Sequence, residues 1–345
     1  MALYPPSEVP QGAIRLNTDS QKLEFYAQDQ WWEMATDVPT LDGGARGFWS
    51  GAGSYPGSTW NVSNVINMVT IPTAGNATDF GDLTQSVREI PASSASRTRA
   101  IRAGGNIGPA HTDTIDYFTM AQQANAVDFG NLTANFLGFG ASPTGSETRG
   151  IFNFEYDNSR SNNDTIEYVT IASTGNSVDF GNLSTARHTQ QGSSSPTRTF
   201  FFGGMNPSRL NIIDYITTAT LGNAQDFGDL ITPQSRGGVT GNSTRGIYGG
   251  GEQNSPVGTT TTAQKLEYAS TGNTIEFGSV ANKNVEYASA CSSPIRGVWG
   301  GGSPGAGNNV ITYRTIATSG SGVDFGDLTN VGQSRAAVSN AHGGL

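Results

Sequence analysis

The chain has 345 residues, 46 of them glycine, with 14% charged and 35% hydrophobic residues and a net charge of −9. An acidic chain lacks the basic surface that generic nucleic-acid binding needs, and no apolar run approaches the ~20 residues of a membrane span. The lone Cys291 excludes an intrachain disulfide framework and, with only three histidines, a Cys/His zinc cluster, so synthesis in a reducing cytosol is expected.

The N-terminus, Met1-Ala2-Leu3-Tyr4-Pro5-Pro6, has neither the basic nor the apolar region of a signal peptide. Residues 1–42 read as a separate β module. Gly12 to Thr18 alternates, Asp19-Ser20 turns, Gln21 to Tyr26 forms a second β-rich run, and Trp31-Trp32-Glu33-Met34 follows Gln28-Asp29-Gln30. Two turn signals between three such runs predict a small meander. About forty residues bury little on their own, so Phe25, Tyr26, Trp31 and Trp32 are candidate docking residues for a partner.

From residue 43 to 345 one unit repeats six times. Its first marker is an acid-Phe-Gly triplet whose phenylalanines, Phe80, Phe129, Phe180, Phe227, Phe277 and Phe325, recur every 47 to 51 residues. Its second is an arginine opening a short β-rich run: Arg46, Arg99, Arg149, Arg198, Arg245 and Arg296. A Gly-Gly pair usually closes that run and a variable loop follows. Next come an apolar-polar-apolar strand (Ile115-Asp116-Tyr117, Ile166-Glu167-Tyr168, Ile213-Asp214-Tyr215, Leu266-Glu267-Tyr268, Ile311-Thr312-Tyr313), a Gly-Asn turn, the triplet, and a small-residue strand such as Ser334 to Val338. The alternation predicts a half-buried third strand. Four strands per unit of about fifty residues match the size of a kelch-type propeller blade. The expected fold is therefore all-β: a six-bladed propeller behind the N-terminal meander, with the surplus C-terminal strand completing the blade that Arg46 begins, which removes two exposed sheet ends.

Asp-Phe-Gly is also the metal-binding triplet of protein kinases. Six β-rich copies without the other kinase elements point instead to scaffold: Phe filling the gap between sheets, Gly turning the chain, and Asp capping amides or meeting the repeat arginine. The rival for the arginines is solvent or the channel mouth. Carboxylate pairs such as Asp79/Asp82, Asp226/Asp229 and Asp324/Asp327 lack the dense ligand spacing of a calcium loop and read as solvated turns. His111, His188 and His342 lie in different contexts, and no nucleophile, acid-base pair, cofactor or metal set emerges, so no catalytic residue is assigned. Function is sought where repeats differ, in the loops after the Gly-Gly strand. Tyr55, Trp60, His111, Tyr156, Arg160 and Arg209 are the candidate contact residues there.

Taken together, Arg-Gly-aromatic-Gly-Gly, Ile-Glu-Tyr, Gly-Asn-x-x-Asp-Phe-Gly-Asp-Leu and Ser-x-x-x-Arg resemble the kelch-like repeat virion proteins of tailed bacteriophages, marine cyanophages above all. The stretch from Gly12 to Trp31 looks like a short module of phage structural and fibre proteins. The resemblance covers nearly the whole chain. It implies a non-enzymatic virion protein on the particle exterior, made in the host cytoplasm, tail-associated as a tail, fibre or adaptor component. It also implies contact with other virion proteins through the N-terminal module and a homo-oligomer in the particle, with no nucleic-acid partner and no membrane insertion. A host-glycan adhesin and a capsid decoration protein are the alternatives.

Overall fold

The computed structural model describes residues 9–17, 22–33, 45–54, 61–90, 92–108, 110–136, 142–154, 162–254, 257–281, 286–303 and 307–345. Among these there is no helix; the protein is all-β, and every pairing within its sheets is antiparallel. The chain divides into two compact units, Met1–Asp42 and Gly43–Leu345.

The N-terminal unit is a three-stranded meander of β1 (Ile14–Asn17), β2 (Lys22–Ala27) and β3 (Gln30–Glu33) in sequential order. Gln28 and Asp29 turn β2 into β3 with φ of 52° and 59°, both left-handed. Ile14 faces Phe25, which faces Trp32, while Leu16 faces Leu23. Alternation therefore collects these five side chains on one side of the sheet. On the other side, Arg15 pairs with Glu24 at 2.8 Å and lies over the Trp31 ring, which meets Tyr26 edge-on at 5.2 Å.

Among the described residues the second unit contains seven sheets, one for each sequence repeat and one small extra ribbon. The strands run in chain order. The first repeat supplies β4 (Arg46–Ser54), β5 (Asn61–Thr70) and β6 (Thr78–Val87). The second supplies β7 (Ala92–Ala95), β8 (Arg99–Ala103), β9 (Thr114–Thr119) and β10 (Val127–Asn131), and the third β11 (Arg149–Asn153), β12 (Asn163–Thr170) and β13 (Val178–Arg187). The fourth has β14 (Gln191–Ser194), β15 (Arg198–Phe202), β16 (Ile212–Thr217) and β17 (Gln225–Asp229). The fifth has β18 (Gln234–Ser235), β19 (Gly238–Gly241), β20 (Arg245–Gly249), β21 (Glu252–Asn254), β22 (Val257–Thr259), β23 (Thr262–Glu267) and β24 (Ile275–Ser279). The last has β25 (Ser289–Ser292), β26 (Arg296–Gly300), β27 (Asn308–Thr315) and β28 (Val323–Gly332), followed by β29 (Ala336–Ser339). Each sheet is ordered small-residue strand, arginine strand, third strand, triplet strand. In the first sheet β29 occupies the opening position, pairing Ser339 with Gly47 and Ala336 with Ser50. The third sheet has three named strands, and Ser142 to Gly145 lies where its small-residue strand belongs, bridging to Gly150. The fifth repeat adds a ribbon, β18-β21-β22.

The triplet explains how neighbouring sheets join. In the first repeat Asp79 pairs with Asn67 and Gly81 with Ile66, so Phe80 is the extra residue of a β-bulge. The bulge aims Phe80 into a cluster that includes Phe48 of its own sheet and Ala100 and Phe118 of the next. All six triplet phenylalanines are buried, and each such side chain contributes roughly 1.5–3 kcal/mol relative to exposure. The glycine is required for a second reason. Gly130 has φ 151°, and a Cβ there would sit 2.4 Å from the carbonyl oxygen of Gly175 in the next repeat's Gly-Asn turn. That turn hydrogen-bonds back, Gly175 N to Phe129 O at 2.8 Å and Asn131 N to Asn176 Oδ1 at 3.0 Å. The same close approach joins Gly81 to Ala124, Gly181 to Gly222, Gly228 to Gly272, Gly278 to Gly320 and, from last repeat to first, Gly326 to Gly75.

The repeat arginines do not pair with the triplet acids. Each donates from Nη1 to a backbone carbonyl just past the third strand of the next repeat: Arg46 to Met120, Arg99 to Ile171, Arg149 to Thr218, Arg198 to Tyr268, Arg245 to Ile316 and Arg296 to Ile71. The triplet acids are exposed instead, with Asp79 Oδ1 accepting from Gly81 N at 3.1 Å. Four arginines also lie over a tyrosine of their own third strand, Arg99 over Tyr117 at 4.9 Å for example, and that tyrosine meets the triplet phenylalanine edge-on, Tyr117 to Phe129 at 5.7 Å. A planar guanidinium can stack and donate at once, which suits it to a crowded seam between sheets.

Two expectations about the third strand change. The polar position at its centre is buried rather than facing solvent in five repeats, as Asn67, Asp116, Glu167, Asp214 and Gln264, whereas Thr312 of the sixth is only partly buried. Their polar ends are satisfied by the preceding repeat. Thr84 donates to Asp116, Thr133 to Glu167, Ser184 to Asp214 at 2.7 Å, the amide of Ile231 to Gln264 at 2.8 Å, and Thr329 to Asn67 at 2.7 Å. In addition, the fifth repeat is aligned three residues too late when Leu266-Glu267-Tyr268 is matched to Ile166-Glu167-Tyr168. Ile151 faces Tyr168 whereas Ile247 faces Lys265, so Ala263-Gln264-Lys265 is the matching triplet of residues. Tyr268 instead takes the place of Ile171, buried, with its hydroxyl donating to Ser193 Oγ at 2.7 Å.

Candidate functional site

Two kinds of connection meet at one end of the sheets. One is the variable loop after the Gly-Gly strand; the other leads from the triplet strand into the small-residue strand. Backbone bridges tie them together at Gly53–Gln333, Arg88–Asn106, His188–Met205 and Glu286–Ser303, and through the β18–β21 pairing in the fifth repeat. In five of these connections the turn into the small-residue strand holds a left-handed non-glycine residue: Glu89 (φ 51°), Thr189 (60°), Arg236 (61°), Tyr287 (57°) and Ser334 (55°). Such backbone is uncommon, most of all for a β-branched residue like Thr189.

Charged side chains gather there in two places. In the second repeat Arg88 pairs with Glu89 at 2.8 Å, and Asn106 donates to the other Glu89 oxygen at 3.2 Å. The larger group draws on three repeats. Arg209 comes from the fourth-repeat loop, Arg236 from the connection into β19, Glu252 from β21, and Glu286 from the connection into β25. Glu252 Oε2 accepts from both Arg209 and Arg236, the latter at 2.7 Å, while Arg209 also donates to Asn254 Oδ1 at 3.0 Å. Arg236 lies over the Tyr287 ring at 5.0 Å.

Burial alone would raise the Glu252 carboxyl; hydrogen bonds from Arg209 and Glu286, with the charges of both arginines, hold it below the usual carboxylate range. The opposite holds next door. Burial first, then the hydrogen bond and repulsion from Glu252, push Glu286 up to about 7. Glu286 therefore holds its proton more tightly than an ordinary carboxyl, and Glu252 less tightly. Nearby, burial and then the charge of Arg236 lower His188 to about 4, and its Nδ1 lies 2.7 Å from Asn162 Oδ1. The group ties three loops together. Among the described residues no three His, Cys, Asp or Glu side chains gather to hold a metal ion.

Of the sequence candidates, Tyr55, Trp60, Tyr156 and Arg160 lie outside the described residues. Arg209 is in the charged group. His111 bridges back to Asn106 and is half-buried. The docking candidates split between two faces. Phe25 and Trp32 are exposed on the apolar side, whereas Tyr26, expected to be exposed, is fully buried on the other, beside Trp31. Sequence reasoning missed Arg236, Glu252 and Glu286; the one signal available was the longer fifth-repeat loop with its acidic residue. No protein-family model matches the chain, and no curated protein matches it.

Proposed function

We propose that Gly43–Leu345 is a six-bladed, kelch-like propeller latched by β29, and that the whole chain is a non-enzymatic, tail-associated structural protein of a tailed-phage virion, held there through its N-terminal unit. Three independent contacts support the ring: the turn against the triplet glycine, the arginine to the carbonyl, and the buried polar residue to the preceding repeat. All three return from the sixth sheet to the first, through Gly326–Gly75, Arg296–Ile71 and Thr329–Asn67.

The observation that carries the functional reading is where the repeated polar groups point. Arginines, buried acids and amides all bond the neighbouring sheet, which makes a rigid scaffold and leaves recognition to the loops that differ. The phage assignment rests on the resemblance of the repeat and of the N-terminal stretch to virion proteins. Deleting residues 1–42 tests it: the remaining chain is expected to fold and to be absent from purified particles. Incorporation at the normal copy number would count against attachment through this unit. Imaging particles with the chain labelled places it; a position on the head would favour a decoration protein over a tail component.

A further inference from the structure

The N-terminal meander carries an exposed apolar face. Ile14, Leu16, Leu23, Phe25 and Trp32 are 65%, 60%, 41%, 37% and 44% exposed, although their register puts all five on one side of the sheet. Ile14, Phe25 and Trp32 form one row across the three strands, and Leu16 and Leu23 a second. The charged residues Arg15 and Glu24 point to the opposite side, where they pair with each other. A sheet with one apolar face is stable when that face packs on another layer, and three strands alone are near the lower limit of independent stability.

We propose that a second copy of this chain covers this face, the two meanders stacking as a two-layer β-sandwich. Area favours that occupant. The five side chains leave on the order of 500 Å² open on each copy. Stacking two identical faces removes roughly 1,000 Å² from water, the threshold at which an interface becomes specific. Among the described residues the face carries no charge that a like copy would oppose, and an isologous contact needs only self-complementarity. Aligned sheets about 10 Å apart would set the two aromatic rows against each other. The proposal does not depend on the virion reading, because it concerns the purified chain in solution.

Sedimentation equilibrium of the full chain over 1–200 µM provides the test, with those concentrations set around the roughly micromolar affinity of a small interface. The expected result is a weight-average mass rising toward twice that of the monomer. Leu16→Thr combined with Leu23→Thr keeps strand-forming residues while removing apolar area, and should weaken association at least tenfold. Ile295→Glu, which alters an equally exposed apolar residue of the other unit, should leave it unchanged. Amide protection of Tyr26 in the double variant reports that the meander is still folded. A chain that stays monomeric throughout, or an association lost with Ile295→Glu and kept in the folded double variant, overturns the proposal. A trimer lost in the double variant overturns the two-layer stack.

Discussion

Glycine at the triplet is a steric requirement with two parts, backbone and contact. Gly130 holds φ 151° and lies against the carbonyl of Gly175, whereas Gly175 itself holds φ 159° with open space around it. Gly130→Ala should therefore cost about 2–4 kcal/mol, strain and collision together, and Gly175→Ala roughly half of that. Urea midpoints of the two variants check the order; equal losses would mean that the close approach between repeats contributes nothing. The titration of Glu286 gives a second residue-scale expectation. Its folded value near 7 exceeds its unfolded one, so its contribution is fully present below about pH 4.5 and is lost as pH rises through 7. His188 and His342, both lowered to about 4, act in the opposite direction: they lose stability as pH falls from 6.5 toward 4. The glutamate and histidine effects overlap and oppose one another between pH 5 and 8, so the glutamate is isolated by comparison with a variant. Glu286→Gln should gain stability relative to the unsubstituted chain as pH rises from 5 to 8, read as the difference in melting temperature between the two. A difference that does not change with pH would show that Glu286 is not what titrates.

One buried charge pair joins neighbouring sheets and a second lies within a sheet. Arg187 at the end of β13 meets Asp214 of β16 at 2.9 Å, with both side chains fully buried; Arg102 and Asp116 of the second sheet form the other pair. Other seams use hydrogen bonds without an ion pair at this position, Glu167 with Thr133, Gln264 with the amide of Ile231, and Asn67 with Thr329. The charge is thus dispensable while the hydrogen bonding is not. Asp214→Ala, which strands a buried guanidinium, should cost about 3–5 kcal/mol, and Arg187→Met with Asp214→Leu should recover most of it. Denaturant unfolding of the single and double variants decides; a double variant as unstable as the single would show that the pair itself, and not the isolated charge, sets the cost. These strands also show what the sequence could carry. The triplet phenylalanines, the small-residue strands and the meander of residues 12–34 follow from local period and composition. The arginine partners do not, because a carbonyl some seventy residues away leaves no trace in side-chain identity. The fifth repeat misled for a related reason. With a side-chain period of two, Leu266-Glu267-Tyr268 copies the pattern of Ile166-Glu167-Tyr168, and only pairing against Ile247 separates Lys265 from Tyr268. The charged group of Arg209, Arg236, Glu252 and Glu286 assembles from three repeats, and no single repeat contains its pattern.

For the molecule as a whole, the pairing of β29 with β4 decides how stability is distributed. In an open row of repeats, each unit answers mainly to its immediate neighbours, and damage at one end stays there. In a ring, opening one junction exposes two sheet ends and frees all the others to separate. Val338 faces Phe48 across this pairing and sits in the cluster that also holds Phe80 and Phe118. Val338→Pro removes a ladder donor from a strand paired on its β4 side and should undo the junction. Under the ring reading, amide exchange should speed up through all six sheets, those around Phe201 and Ile247 included, with a single cooperative transition at a lower temperature. Faster exchange confined to the first and sixth sheets, with Phe201 and Ile247 as protected as before, would instead describe an open row whose ends happen to touch.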